Sequence, residues 1–327
     1  MAINGLNEFE IIEKIKRWLG SQDMTIPIGD DAAAFELEPN LLSLFTSDSL
    51  IENVHFKLDS IKPFDLGYKS LVINISDIAA MGGVPKFATV TLGLPKKTNL
   101  LFLKSFYKGL KKAADQYLVS IAGGDLASAK EMAINISLIG QVEKDKMLNR
   151  SKAKIGEKIL VTSTLGASAL GLKIALEPKL KTKHDAYLQK KHFSPVAKVR
   201  EARLAAKLGA KVAIDVSDGL ISDCLRIAEE SKVGFKIYAE KVPVDDIVLK
   251  ESKKLNLDAL DMALSGGEDY ELVFTSPETI AEKITKNFDQ KGWQISVIGE
   301  IIPKGIEILD KDGKQISWRK GYEHKFN

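Results

Sequence analysis

Six apolar segments of the chain run into small residues and then an acid. They are PIGDD (Asp30, Asp31), FTSD (Asp48), NISD (Asp77), AGGD (Asp125), VSDG (Asp218) and SGGED (Glu268, Asp269), with Asp215 preceding Asp218 as DVSD. Any one of these acids is accounted for by an Asx-turn or a helix N-cap. Six such segments ask for a common reason. Carboxylates gathered without counter-charge repel and retain protons, a conflict that divalent cations relieve. Aspartates with four histidines and one cysteine in the whole chain suit a hard ion such as Mg²⁺. Mg²⁺ takes one or two protein carboxylates and completes its shell with water and phosphate, so a distributed set suggests several ions on a polyphosphate. Glycine and serine beside each acid let a ligand approach the backbone and expose N–H groups to an anion.

These residues need elements to hold them, and strand ends are the expected place. Apolar runs at Ile26–Ile28, Leu41–Phe45, Phe87–Leu94, Val119–Ile121 and Met132–Val142 read as strands, with helices over Glu8–Leu19 and Leu100–Tyr117. Leu66–Met81 is ambiguous: LVINI favours strand, while its length and alanine-rich end favour helix. The charged segment Glu143–Lys158 breaks the pattern and suggests two domains, 1–147 and 148–327. The second begins with a strand at Lys158–Thr162 and a helix from Leu165, and lysine-rich helices follow between Lys179 and Lys207. Further strands are expected at Val212–Val216, Phe235–Tyr238, Leu272–Thr275 and Ile295–Ile298. Strands mixed with helices in both halves give an α/β or α+β class. The lysine cluster around KLKTKHDAYLQKKH reads as a solvated helix face.

A chain of 327 residues with 45% hydrophobic and 28% charged side chains has the makings of a proper core. A net charge of +3 and an aromatic content of 7% argue against a nucleic-acid binder. The single cysteine, Cys224, excludes an internal disulfide and reads as buried filler in a reducing compartment. The first twenty residues lack a signal-peptide core, and no apolar run reaches membrane-spanning length, so a soluble cytoplasmic protein is expected. There is no GxxxxGK[ST] loop, no GxGxxG between strand and helix, and no protein-kinase catalytic loop.

The acid-bearing motifs, in their order, resemble the thiamine-monophosphate kinase family, which shares its fold with aminoimidazole ribonucleotide synthetase. The resemblance runs through IGDDAAAF, TSDSLIENVHF, DLGYKSLVINISDIAAMGG, AGGD, LNRS, AIDVSDGLISD, SGGEDYELVFT and the terminal WRKGYEHKF. It implies an N-terminal α/β domain that pairs its sheet in a homodimer, a C-terminal α+β domain, and ATP-dependent conversion of thiamine monophosphate to thiamine diphosphate. It further implies Mg²⁺ at Asp30, Thr46, Ser47, Asp48, Asp77, Asp125, Asp215 and Asp218. ATP would meet Tyr107, Gly124, Asp125, Arg150 and Ser217. The substrate would meet His55, Glu268, Trp318 and Tyr322. The chain departs from the family pattern at Asn53, where glycine is common, at Leu126 after GGD, and in KIGEKILVTSTLG.

The reaction so implied joins two anionic phosphates. A phosphate monoester is already ionised near neutral pH, its second pKa being about 6, so no general base is required. Charge neutralisation and in-line positioning carry the catalysis, without a phosphoenzyme. Arg150 offers a fixed charge to nucleotide phosphates. Trp318 and Tyr322, on either side of Gly321, offer a cation–π wall to a thiazolium ring or else plain C-terminal packing. Glu268 would accept from the aminopyrimidine or act as a structural cap. His55 is assigned contact, not acid–base work, and Tyr107, on an amphipathic helix, reads by itself as core packing. The competing readings are a sister ATP-dependent synthetase, for which no dedicated lysine, cysteine or glycine-rich N-terminal loop is found, and a catalytically idle nucleotide-binding protein.

Overall fold

The computed structural model describes Glu10, Thr25, Ile26 and residues 30–323 apart from Pro178. Apart from Glu10, the expected first helix lies outside the described residues, as do Pro27 and Ile28 of the first expected strand and the terminal motif from His324 onward. Among the described residues there are two sheets, one in each domain.

In the first domain β1 (Ala33–Glu38) and β2 (Leu41–Ile51) precede α1 (Pro63–Ala80), and β3 (Val84–Leu94), α2 (Leu100–Tyr117), β4 (Ser120–Ser128) and β5 (Ala133–Glu143) follow. The sheet order is β1-β2-β5-β3-β4. All pairs are antiparallel except β3 and β4, which α2 joins as a crossover. The amphipathic α2 starts where the Asn99 side chain accepts the Phe102 N–H at 2.9 Å and ends at Leu118 in the left-handed conformation.

The ambiguous stretch is a helix. Pro63 sits in the first turn of α1, and almost every residue from Leu66 to Ala80 is buried. A helix covered on all sides has no polar stripe, so periodicity cannot reveal it, and tertiary burial overrides the strand preference of LVINI. The two helices approach so closely that a methyl at Gly67 would stand 2.0 Å from the Phe106 carbonyl oxygen, and one at Gly109 would stand 1.8 Å from that of Phe64. They cover one face of the sheet. The other face is open and carries Phe45, Ile139 and Phe87 in one cross-strand row.

The second domain contains β6 (Lys158–Thr162), α3 (Ala167–Leu176), α4 (Asp185–Phe193), α5 (Val199–Leu208) and β7 (Val212–Asp215). It continues through α6 (Leu220–Ser231), β8 (Gly234–Tyr238), α7 (Asp246–Leu255), α8 (Ala259–Ser265), β9 (Leu272–Ser276), α9 (Glu278–Asp289), β10 (Ile295–Ile302) and β11 (Ile306–Leu309). Its sheet runs β11-β8-β10-β6-β9-β7, antiparallel but for β11 beside β8. Sequence reasoning did not anticipate β1 and β11. The lysine-rich α4 is not solvated all round, because Leu188 and His192 are buried. Cys224 is buried as expected.

The domains share their interiors. Ala79 and Ala80 at the end of α1 pack with Leu160, Ala202, Ala205 and Phe274 of the second domain, and Tyr270 joins the core of the first. Helix α1 is thus the common spine.

Candidate active site

The acids do not all stand at strand ends. Asp215 does, closing β7, and Asp218 lies in the turn after it. Asp48 instead stands within β2, Asp77 on the last turns of α1, and Asp125 within β4. The expectation failed because glycine and acid in AGGD occur within a solvent-facing edge strand, and because NISD belongs to a helix.

Three carboxylates converge between the domains: Asp31, Asp77 and Asp215 each place an oxygen within 4.8 Å of the others. Thr46 on β2 donates its hydroxyl to Asp77 Oδ2 at 2.6 Å, and Ser76, next to Asp77 on α1, donates to Asp215 Oδ2 at 2.6 Å. Asn74 accepts the backbone N–H of Asp48 at 3.1 Å. Strand alternation turns Thr46 and Asp48 toward α1 and sends Ser47 to the open face, where its hydroxyl meets Ser137 at 3.1 Å. Burial, and then the neighbouring acids Asp48, Asp215 and Asp31, push Asp77 well above the usual carboxylate range. Asp215 is pushed the same way by burial and by Asp31. Asp30 rises to about 7 through burial and Asp31, against the pull of Arg150. Arg150 brackets Asp31 at 2.5 and 3.1 Å and stands 3.6 Å from Asp30, so its guanidinium is engaged with acids. Oxygen donors crowded this closely and short of counter-charge fit Mg²⁺.

The DVSDG turn is held from below. Asp223, fully buried on α6, accepts the N–H groups of Ser217, Asp218 and Gly219 at 3.0, 3.1 and 3.2 Å. Those donors, expected to face an anion, are therefore already committed. Burial raises Asp223 to about 7. Asp218 pairs with Arg226. The segment around Gly321 and Tyr322 lies over this turn. Tyr322 donates its N–H to the Asp218 carbonyl at 3.1 Å, and Gly321 packs so tightly that a methyl there would stand 1.6 Å from the same oxygen. Trp318 packs against the second-domain core, while the Tyr322 side chain is exposed.

Glu268 sits beside the same turn, its N–H donated to the Ser217 carbonyl at 2.7 Å. Its carboxylate meets Lys69 of α1 at 2.8 Å and His192 of α4 at 3.4 Å. His55 accepts the Ile51 N–H on Nδ1 at 3.0 Å and stands near enough to Glu268 to act on its charge. Asn53 takes φ 65°, a left-handed conformation asparagine tolerates, so the turn before His55 keeps the shape a glycine would give it. Asp269 points away and accepts the Gly166 and Ser168 N–H groups at the start of α3.

Gly124 and Asp125 are exposed on β4, paired with Val90 and Thr91. Tyr107 is not a core residue: Phe106 takes that place, and Tyr107 meets it edge-on from the half-exposed side. Sequence reasoning counted Asp31 among the gathered acids but left it out of the metal set the resemblance implies, and it gave no site role to Ser76, Asp223, Lys69 or His192. The second aspartate of IGDD and the acid five residues after VSD were visible signals, whereas nothing local marks Lys69 or His192.

Two family models match the chain: AIR synthase related protein, N-terminal domain, over residues 29–142, and AIR synthase related protein, C-terminal domain, over residues 154–311. The thiamine-monophosphate kinase of Buchnera aphidicola (Acyrthosiphon pisum) is 36% identical over 97% of this chain and 98% of its own length. The thiamine-monophosphate kinase of Bacillus subtilis is 35% identical over 98% of this chain and 99% of its own length. This chain belongs to the thiamine-monophosphate kinase family. Among solved structures, AaThiL complexed with AMPPCP and TMP superimposes with a TM-score of 0.87 at 32% identity, covering 98% of this chain and 97% of that one. The family's two-domain architecture is the one described above.

Proposed function

We propose that the chain is a thiamine-phosphate kinase that transfers the terminal phosphoryl group of ATP to thiamine monophosphate. The observation that carries this reading is the convergence of Asp31, Asp77 and Asp215 between the domains of a chain from this family. The similar structure AaThiL, complexed with AMPPCP and TMP, supports the substrate pair.

Asp31, Asp77 and Asp215 would hold Mg²⁺, with Asp30, Thr46, Ser47, Asp48, Asp125 and Asp218 joining as nucleotide and acceptor fill the site. The metal would supply positive charge between two phosphates that otherwise repel. Thr46 and Ser76 hold the carboxylates in place through their hydroxyls. Arg150 offsets the acids and presents a cationic edge toward the nucleotide, joined by Tyr107, Gly124 and Ser217. His55, Glu268, Trp318 and Tyr322 bound the acceptor ring. The acceptor oxygen is already anionic, so transfer is direct and in line and needs no general base.

The division at 147/148 gives the first domain nucleotide, metal and pairing duties, and the second completes the site. A homodimer is supported by the open face of the first sheet, where Phe45, Ile139 and Phe87 are 43%, 40% and 54% exposed in one row. Among the described residues no helix is long and apolar enough to cross a membrane. A lone buried cysteine suits the reducing cytoplasm.

Purified protein incubated with ATP, MgCl₂ and thiamine monophosphate should yield thiamine diphosphate and ADP in equal amounts. EDTA and Asp48→Asn should abolish both. Mg²⁺-dependent ATP binding with no thiamine diphosphate would overturn the acceptor and point to a sister substrate.

A further inference from the structure

Lys69 is an ammonium placed where few are found. It lies within α1, 4% exposed, the one cation among the buried side chains of that helix. An unpaired charge there would be expensive to bury, so its partners define why it is present. They come from the other domain: Glu268 Oε1 at 2.8 Å and His192 Nε2 at 3.3 Å. His192 is 2% exposed, and burial followed by the Lys69 charge depresses its pKa to about 3, so the ring is neutral. With Lys69 donating to Nε2, the proton sits on Nδ1, which faces Ser168 Oγ at 3.0 Å and Glu268 Oε2 at 3.4 Å. One carboxylate is therefore held by an ammonium on α1, and that ammonium is braced in turn by a neutral imidazole on α4 that Ser168 anchors.

The gripped residue is itself strained. Glu268 has φ 64° and Tyr270 φ 51°, positions that side chains of this size seldom occupy, and strain of this kind concentrates at functional sites. The Glu268 side chain remains 27% exposed although both its holders are buried. Burial alone would raise its pKa, but Lys69 foremost holds it below the usual range. The group is thus built as an ionised, immobile acceptor with lone pairs left over for a ligand.

We propose that Lys69 and His192 are positioning residues for the acceptor substrate: they fix the Glu268 carboxylate so that it receives a hydrogen bond from an amino-substituted heterocycle. The proposal rests on the kinase reading above and on Glu268 facing the acceptor. Because Lys69 belongs to the first domain and Glu268 and His192 to the second, the acceptor contact exists only while the domains stay docked.

The test is steady-state kinetics on the full-length enzyme, with thiamine monophosphate and ATP varied separately, for wild type, Lys69→Met, Lys69→Arg, His192→Gln, Glu268→Gln and the Lys69→Met/Glu268→Gln double variant. Lys69→Met and His192→Gln should raise KM for thiamine monophosphate about tenfold, as loss of a charge-assisted contact does, with KM for ATP within about twofold. Lys69→Arg should recover most of the loss. The double variant should be no worse than Glu268→Gln alone, since the lysine acts through that carboxylate. Parallel rises in both KM values, or losses that multiply in the double variant, would overturn the positioning role. If Lys69→Met does not fold, the His192→Gln comparison decides. A wild type that makes no thiamine diphosphate overturns the kinase reading and this proposal with it. An active wild type with unaffected variants overturns this proposal alone.

Discussion

Asp77 bears the conflict between stability and function most directly, because burial and three neighbouring acids oppose its ionised form. Asp77→Asn should raise the melting temperature in EDTA by about 2–4 °C, equivalent to relief of about 1 kcal/mol, while lowering turnover at least about a hundredfold. Differential scanning fluorimetry with and without Mg²⁺, set beside the activity assay, checks both. His192 gives the opposite kind of test. Its folded pKa of about 3 lies below the 6.5 of an unperturbed imidazole, so the unfolded chain takes up its proton first as pH falls. Stability from this group is complete above pH 6.5 and is lost progressively toward pH 3, by about 2 kcal/mol at pH 5. His192→Gln should flatten that slope, measured as the difference in urea midpoints between pH 7.5 and pH 5. The acids themselves were legible in the sequence because small residues flanked them. The groups that discipline them were not. Lys69, Ser76 and His192 act across 199, 139 and 76 residues of chain on Glu268, Asp215 and Glu268, and no local pattern encodes such a pairing.

Among the elements, α2 was readable because one of its faces is polar and apolar strand runs flank it; its left-handed end at Leu118 has no sequence signal. Helix α1 was not readable, because burial on all sides removes the periodic signal. Strand β4 extends past its apolar start because pairing with β3, rather than composition, carries AGGD along the edge. The α1–α2 contact depends on two missing side chains. Gly109→Ala would set a methyl against the Phe64 carbonyl and force the helices apart, destabilising the enzyme by about 1–3 kcal/mol. The same shift moves Asp77 relative to Asp215, so turnover should fall before the protein unfolds. Thermal melts and activity measured on one preparation separate the two effects.

For the molecule as a whole, the open sheet face asks for a partner. Phe87→Glu, the most exposed member of the Phe45–Ile139–Phe87 row, should convert a dimer to a monomer in light scattering at micromolar concentration. The domains of one chain should stay associated, since their shared interior around Ala79, Ala202 and Phe274 is elsewhere. One further property follows from α1. Lys69 meets Glu268 at one level of this helix, and Ser76 meets Asp215 one level up, seven residues and about 10.5 Å along the axis. On the proposed reading, the place where a ring is gripped and the place where a phosphate reacts would be marks on one rigid rod. An acceptor whose ring and phosphate are spaced by one carbon more or less reaches one mark and misses the other. Such an enzyme would recognise its substrate as a ruler does, by length.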